Sequence, residues 1–218
     1  MGLMQSNALM VERLREQGLL KSKRATKAFL RVDRADFVPA SLKDLAYEDR
    51  PLPTTQGQTI SAPSIVALMT EALDARPGMK VLEIGSGSGY QAAILAQCVG
   101  GKGRVFTVES NAALYDYAKQ KLGGYGNVEV FLADGSLGLK SKAPFHRIMV
   151  TAAAPAIPPA LFEQLMEGGK MVAPVGATPP QKLLLVQKIE GKQVVSPLSL
   201  VLFVPLKGAQ GFKPSKTA

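Results

Sequence analysis

Between residues 80 and 174, short apolar runs alternate with stretches of helical spacing. Val81-Leu82-Glu83-Ile84, the run Val105 to Val108, Val128 to Phe131, Ile148 to Val150 and Met171 to Ala173 are the apolar runs. Runs of this length between turn residues predict buried strands at 80–84, 104–109, 127–131, 147–151 and 169–174. The intervening residues 90–99, 111–122 and 159–166 predict helices; in the second, Leu114, Tyr117, Ala118 and Leu122 share one face. Strict alternation of strand and helix predicts a parallel sheet covered by helices on both faces, an α/β fold. Residues 182–189 and 194–205 flank Glu190-Gly191 and predict a closing hairpin that adds an antiparallel strand.

The first third of the chain follows a different pattern. Residues 7–18 carry Ala8, Leu9, Val11 and Leu14 at helical spacing before Gly18, and 26–32 predict a second short helix. Residues 34–39 predict a turn closed by Pro39. Together they predict a small helical extension packed on one edge of the sheet. From 45 to 63, Pro51, Pro53, Pro63 and Gly57 argue against regular structure and predict a long functional loop. Pro63 suits the first turn of a helix ending near Pro77-Gly78. The expected division is 1–62, helical extension and active-site loop; 63–206, the catalytic domain; 207–218, a basic flexible tail.

Composition narrows the picture modestly. A chain of 218 residues with 46% hydrophobic and 20% charged residues reads as globular. Its single cysteine, Cys98, excludes an internal disulfide, and no apolar run is long enough to span a membrane. The start lacks a signal-peptide pattern, so a cytoplasmic protein is expected. The +9 formal charge could serve nucleic acid or an acidic substrate, but the cations are spread thinly and none is interleaved with aromatics.

Candidate chemistry centres on Lys80-Val-Leu-Glu-Ile-Gly-Ser-Gly-Ser-Gly-Tyr90. Strand, glycine turn and helix in that order begin a Rossmann-like unit, in which the helix N-terminus meets the ligand. A dinucleotide fingerprint from Gly85 would need glycine at position 90, which is Tyr90. The register Glu83-x-Gly85-Ser86-Gly87-x-Gly89 resembles instead the first motif of class I methyltransferases that use S-adenosylmethionine. That resemblance implies a sheet of seven strands, the last antiparallel, and a loop that cradles the amino-acid part of the cofactor. Glu109 ends the second strand of the unit, where a carboxylate can accept both ribose hydroxyls. Asp134-Gly135 follows the third, and the resemblance gives this Asp to the adenine amino group. After the fourth stands Thr151-Ala-Ala-Ala-Pro155, with neither the amide nor the aromatic that amine methyltransferases of nucleic acids place there.

The loop ahead of the glycine motif is more specific. Pro51-Leu-Pro-x-x-x-Gly57-Gln58-Thr59-Ile60-Ser61-Ala62-Pro63 resembles the protein-L-isoaspartate O-methyltransferase family, as do Val150-Thr-Ala-Ala-Ala-Pro155, Pro174-Val-Gly176 and Phe203-Val-Pro-Leu206. The resemblance runs in order from about residue 32 to 206. It implies methyl transfer from S-adenosylmethionine to the free α-carboxylate of L-isoaspartyl residues in damaged proteins and peptides, leaving S-adenosylhomocysteine. It further implies that Ser61 is the catalytic serine that binds the acceptor carboxylate. Gln58, Thr59, Ile60, Ser61 and Ser64 would contact the cofactor together with Glu83, Gly85, Ser86, Gly87, Gly89, Glu109, Asp134 and Gly135. Residues 58–61 are expected to form a flap over both ligands, and 203–206 to pair with the peptide. No metal is expected, and the enzyme is expected to be a monomer without membrane or nucleic-acid partners. A competing assignment makes Ser61 a helix N-cap.

Two positions depart from the family pattern: Ser64, where His or Tyr is common, and His146, where Asp is usual. A lone His there is expected to be structural. The alternative on the same fold is an RNA or small-molecule methyltransferase, for which the +9 charge speaks.

Overall fold

Strands buried on both faces need helices on either side, and the chain supplies them in order. The computed structural model describes residues 6–213. Its elements are α1 (Asn7–Glu16), α2 (Lys23–Arg31), a small hairpin of β1 (Leu52–Pro53) and β2 (Thr59–Ile60), α3 (Pro63–Leu73), β3 (Lys80–Ile84), α4 (Tyr90–Val99), β4 (Arg104–Glu109), α5 (Ala112–Lys121), β5 (Val128–Leu132), β6 (Phe145–Val150), α6 (Pro159–Gln164), β7 (Leu165–Val175), β8 (Gln181–Ile189) and β9 (Lys192–Val201).

The main sheet has seven strands in the order β5-β4-β3-β6-β7-β8-β9. β3 to β7 pair in parallel. β8 runs antiparallel to both β7 and β9, so the expected closing hairpin supplies the antiparallel pairings. Pro197 sits on the edge strand β9, where its missing donor costs no inner ladder bond. The chain moves from β3 to β4 and β5 on one side, then returns to β6 on the other. That reversal opens a crevice at the carboxyl ends of β3, β4 and β6, where ligands bind in open α/β sheets.

Successive side chains of the strands feed two cores. Val81, Val105, Met149 and Val172 pack with α3, α4 and the N-terminal helices. Leu82, Ile84, Phe106, Ile148 and Val150 pack with Leu161 of α6. The helical extension is not docked on a sheet edge as expected; it lies on α3 and α4. α4 is apolar on nearly every side and is buried almost throughout, so it needs a cover on its outer face. Phe29 of α2 supplies it, packing edge-on to Tyr90 at 6.3 Å between ring centroids. Glu71 of α3 accepts hydrogen bonds from the Lys21 and Ser22 amides and fixes the start of α2.

Other expectations shift locally. Residues 34–37 form a 3-10 turn capped by Asp33, whose carboxylate accepts from the Ala35 amide. α6 stops at Gln164 and β7 starts at once, four residues before the expected strand. The tail is anchored to the body of the protein at Ala209 and Gln210; residues 214–218 of the expected flexible tail lie outside the described residues. His146, as expected, is structural: its Nδ1 accepts from the Lys80 amide where β3 and β6 begin. Cys98 is buried in α4, and burial pushes its thiol up to about 12. Among the described residues no helix is long and apolar enough to cross a membrane.

Phe29 is fully buried between the extension and α4. Phe29→Ala is therefore expected to cost ~3–5 kcal/mol in urea unfolding. A loss below ~1 kcal/mol would show that the extension contributes little to the core.

Candidate active site

The end of β3 shapes the site. Gly85 leaves the sheet at φ +94°, and its Cβ, were there one, would overlap the Thr151 hydroxyl. That hydroxyl lies 2.9 Å from the Ile84 carbonyl and 2.7 Å from that of Gly85. Glycine is thus required here for the approach of β6's last turn, rather than for a ligand. Beyond it a cavity of about 420 Å³ opens at the strand ends. Its floor is the glycine loop, its far wall the end of β4 and the start of α5, and its cover the hairpin that ends in Ser61. Such a volume suits a nucleoside-sized ligand.

Glu109 is held rigidly at this cavity. One carboxylate oxygen accepts from the Gly87 amide at 3.1 Å; the other accepts from the Ser110 and Asn111 amides at 2.9 and 3.1 Å. Main-chain donors fix the carboxylate so that its remaining lone pairs serve whatever enters.

Glu83 lies elsewhere. It is fully buried behind the glycine loop, and it does not line the cavity. One of its oxygens makes a very close contact with the Thr107 hydroxyl, which lies 2.7 Å from the Ser86 hydroxyl at the cavity. Its other oxygen has no partner among the described residues. Burial, reinforced by the charge of Glu109 and opposed by Thr107, pushes the carboxyl up to about 8. Its surroundings therefore favour the neutral form, and it is joined to the cavity through two hydroxyls.

The long loop is more ordered than its prolines suggest. Leu52 pairs with Ile60 and Pro53 with Thr59, and both Leu52 and Ile60 are buried. The exposed tip lies against α5, so the hairpin spans the cavity mouth. Gln58, Thr59, Ile60 and Ser61 all line the cavity. Ala62, not Ser61, is the N-cap of α3, and no side chain caps that helix. The Ser61 hydroxyl forms no hydrogen bond among the described residues, so the N-cap assignment fails. Ser64 is not among the lining residues; it sits in the first turn of α3, where its amide donates to Asp49 at 2.9 Å.

Asp134 is also placed differently from expectation. Its carboxylate accepts from the Ser136 amide and hydroxyl at 2.9 and 2.6 Å, and from the Ala209 amide at 2.8 Å. Burial would raise its pKa, but these hydrogen bonds outweigh it and hold the carboxyl below its ordinary value. Gly135 lines the cavity; Asp134 holds the chain that follows β9. That chain crosses back over the sheet. Ala153 donates to the Val204 carbonyl and accepts from the Leu206 amide, and Phe203 to Lys207 complete the cavity wall.

Sequence reasoning thus placed Gln58 to Ser61, Gly85 to Gly87, Glu109 and Gly135 on one cavity. It set Glu83, Gly89, Ser64 and Asp134 there as well, and the structure does not. It missed Asn111 and Leu114, whose only signal was their position just after a strand-end acid. It also missed Arg34, which carried no motif.

The sheet order and the place of the cavity put this chain among the class I methyltransferases. A family model described as protein-L-isoaspartate(D-aspartate) O-methyltransferase matches residues 4–211. A protein-L-isoaspartate O-methyltransferase of Methanopyrus kandleri is 50% identical over 94% of this chain and 92% of its own length. That of Aeropyrum pernix is 49% identical over 94% and 80%. A Plasmodium falciparum chain described as a protein-L-isoaspartate O-methyltransferase, solved with S-adenosyl-L-homocysteine, superposes with a TM-score of 0.84 at 25% identity, covering 93% of this chain and 99% of its own. The chain belongs to the protein-L-isoaspartate(D-aspartate) O-methyltransferase family.

Two outcomes follow from the carboxyl groups of Glu83 and Asp134. Glu83 binds its proton more tightly folded than unfolded, so the stability it contributes is complete below pH ~4.5 and is lost as pH rises toward about 8. Glu83→Gln should remove that slope. Urea midpoints at pH 5, 6.5 and 8 should show the variant gaining on wild type by up to roughly 1.4 kcal/mol per pH unit. Parallel midpoints would mean Glu83 is ionised. The second concerns Gly208, at φ +139°, where a Cβ would overlap the Asp134 carboxylate. Gly208→Ala should cost ~1–3 kcal/mol and strip hydrogen-exchange protection from the Ala209 and Gln210 amides. Unchanged protection would mean Asp134 does not hold this segment.

Proposed function

We propose that the protein transfers a methyl group from S-adenosylmethionine to the free α-carboxylate of L-isoaspartyl residues in damaged proteins and peptides. The observation that carries this reading is Ser61, which lines the cavity at the end of the hairpin and whose hydroxyl forms no hydrogen bond among the described residues. The ester so formed is a better leaving group than the acid. The backbone nitrogen displaces it, and the resulting succinimide opens partly to normal aspartate. The same reading takes the enzyme as a cytoplasmic monomer.

The residues present fit the cofactor. When bound, S-adenosylmethionine supplies a methyl group on a sulfonium that departs as a thioether. Glu109, already fixed by three main-chain donors, would accept the ribose hydroxyls. Ile84, Val108 and Leu114 would offer apolar contact to the base, with Gly135 beside them. Gly85, Ser86 and Gly87 would face the amino-acid part. Tyr90, which also lines the cavity, has a buried hydroxyl without a partner among the described residues.

The acceptor is a carboxylate, ionised at neutral pH. Its lone pair is available without a general base, and the chain's one histidine lies where β3 and β6 begin. What the protein must supply is alignment and exclusion of water, which can be worth ~7–11 kcal/mol when the reactants are well oriented. The hairpin from Leu52 to Ile60 closes the mouth, and Ser61 donates to the acceptor. Val204, partly exposed and lining the cavity, gives an extended peptide apolar contact of low sequence demand.

Ser61→Ala should lower kcat/KM for an isoaspartyl peptide by ~10–150-fold, the value of one hydrogen bond to a charged group. Affinity for S-adenosylhomocysteine should stay within about threefold. The wild-type assay carries the matching aspartyl peptide and bulk RNA as further acceptors. Methylation of the aspartyl peptide or the RNA at a comparable rate would overturn the proposed specificity, and a fully active Ser61→Ala would overturn the role of the hydroxyl.

A further inference from the structure

Arg34 is the largest side chain in the core and is completely excluded from solvent. No carboxylate lies within ion-pair distance of it among the described residues. A buried guanidinium without a paired anion is costly, several kcal/mol even after relaxation. Its hydrogen bonds all go to main-chain carbonyls. Nη1 donates to Ala46, and Nη2 donates to Arg50 at 3.2 Å and to Ser61 at 3.0 Å. Arg50 and Ser61 are the two ends of the hairpin that covers the cavity: β1 starts two residues after Arg50, and β2 ends at Ile60. One nitrogen therefore bridges the neck of the flap.

The surroundings hold the clamp itself in place. Asp33 caps the 3-10 turn that carries Arg34, and the Tyr47 hydroxyl donates to the same carboxylate at 2.8 Å. On the other side the guanidinium feels the Tyr90 hydroxyl, at the first residue after the glycine loop, and the Asp49 carboxylate. Burial lowers the guanidinium to about 10, against those two groups, so it remains charged at neutral pH.

We propose that Arg34 is a positioning residue for methyl transfer, setting the place of Ser61 by tying both ends of the flap to the body of the protein beside the glycine loop. The planar fork matters here. Its two terminal nitrogens reach carbonyls in different directions, which the single ammonium of lysine cannot do at once. A flap whose neck is unpinned still folds over the cavity, but it lets the Ser61 hydroxyl wander by fractions of an ångström to an ångström. Methyl transfer depends steeply on displacements of that size. The inference rests on the reading of Ser61 as the hydroxyl that binds the acceptor.

Arg34→Lys and Arg34→Met test it, each alone and combined with Ser61→Ala. The measurements are kcat and KM for an isoaspartyl peptide at saturating S-adenosylmethionine, calorimetric affinity for S-adenosylhomocysteine, and thermal melting. Arg34→Lys is expected to lower kcat/KM about 10- to 100-fold while S-adenosylhomocysteine affinity stays within about threefold. In the Ser61→Ala background the same substitution is expected to lower kcat/KM by less than about threefold, because its effect passes through that serine. Losses that multiply across the two sites would overturn the proposal, as would wild-type kcat/KM in Arg34→Lys. So would affinity for S-adenosylhomocysteine falling in step with kcat/KM, or failure of both Arg34 variants to fold, since each marks a purely structural role. A Ser61→Ala enzyme with full activity would sink the reading of Ser61, whatever Arg34 does.

Discussion

The site depends on what happens to the backbone at the end of β3. The strand lies between two parallel neighbours, so its main-chain groups are paired on both sides until Ile84. There the Thr151 amide still binds the Ile84 carbonyl, and the Gly85 amide binds the Val108 carbonyl. The chain must then turn out of the sheet without leaving these groups unpaired. The Thr151 hydroxyl resolves this by lying against the Ile84 and Gly85 carbonyls, in the space a side chain at 85 would need. The glycine turn, the crevice and the start of α4 all inherit their positions from that contact.

Two carboxyl groups near this turn do different work because their surroundings differ. Glu109 meets three amides and faces the cavity, so it can present lone pairs to hydroxyl groups. Glu83 meets one hydroxyl in a fully buried position, and the neighbouring charge adds to the cost of ionising it. A second anion so close to Glu109 would weaken the first by like-charge repulsion. Of the two, Glu109 is the one that lines the cavity, at the end of β4.

Much of this was legible in the sequence, and the exceptions share a cause. The parallel strands declared themselves through Val81-Leu82, Val105-Phe106 and Ile148-Met149-Val150, because a strand buried on both faces has to be apolar throughout. Gly85 to Gly89 and Glu109 were legible because turns and strand ends tolerate few residue types. The hairpin at 52–60 was not: Pro51 and Pro53 read as breakers, yet Pro51 only precedes the strand and Pro53 fits a two-residue strand on a small isolated ribbon, where few donors are needed. Arg34 gave no signal, since its partners are carbonyls 12 to 27 residues away, and carbonyls carry no sequence identity. Ser64 lies in the first turn of α3 off the cavity lining, because family likeness fixes a position in the chain but not the path of a helix's first turn. The N-terminal extension was placed on the sheet edge because nothing in its own spacing reveals that α4 is apolar on its outer face.

Asp134 shows how much of a strand-end acid's surroundings only the folded chain reveals. The Asp-Gly pair stands at the end of β5, as a doubly wound sheet requires, and Gly135 reaches the cavity. The Asp carboxylate accepts from Ser136 beside it and from the Ala209 amide 75 residues on, and the contacts there continue: Ser136 accepts from the Gln210 amide while Gln210 Oε1 accepts from the Ala160 amide. Those contacts fix the segment that supplies Phe203 to Lys207 to the cavity wall. A carboxylate committed to two main-chain amides and a hydroxyl still has lone pairs in reserve, but its orientation is set by the chain it holds. The acid at the end of β5 therefore shapes the cavity by fixing the path of the polypeptide, whereas the acid at the end of β4 faces the cavity itself, and only the folded chain distinguishes these two roles.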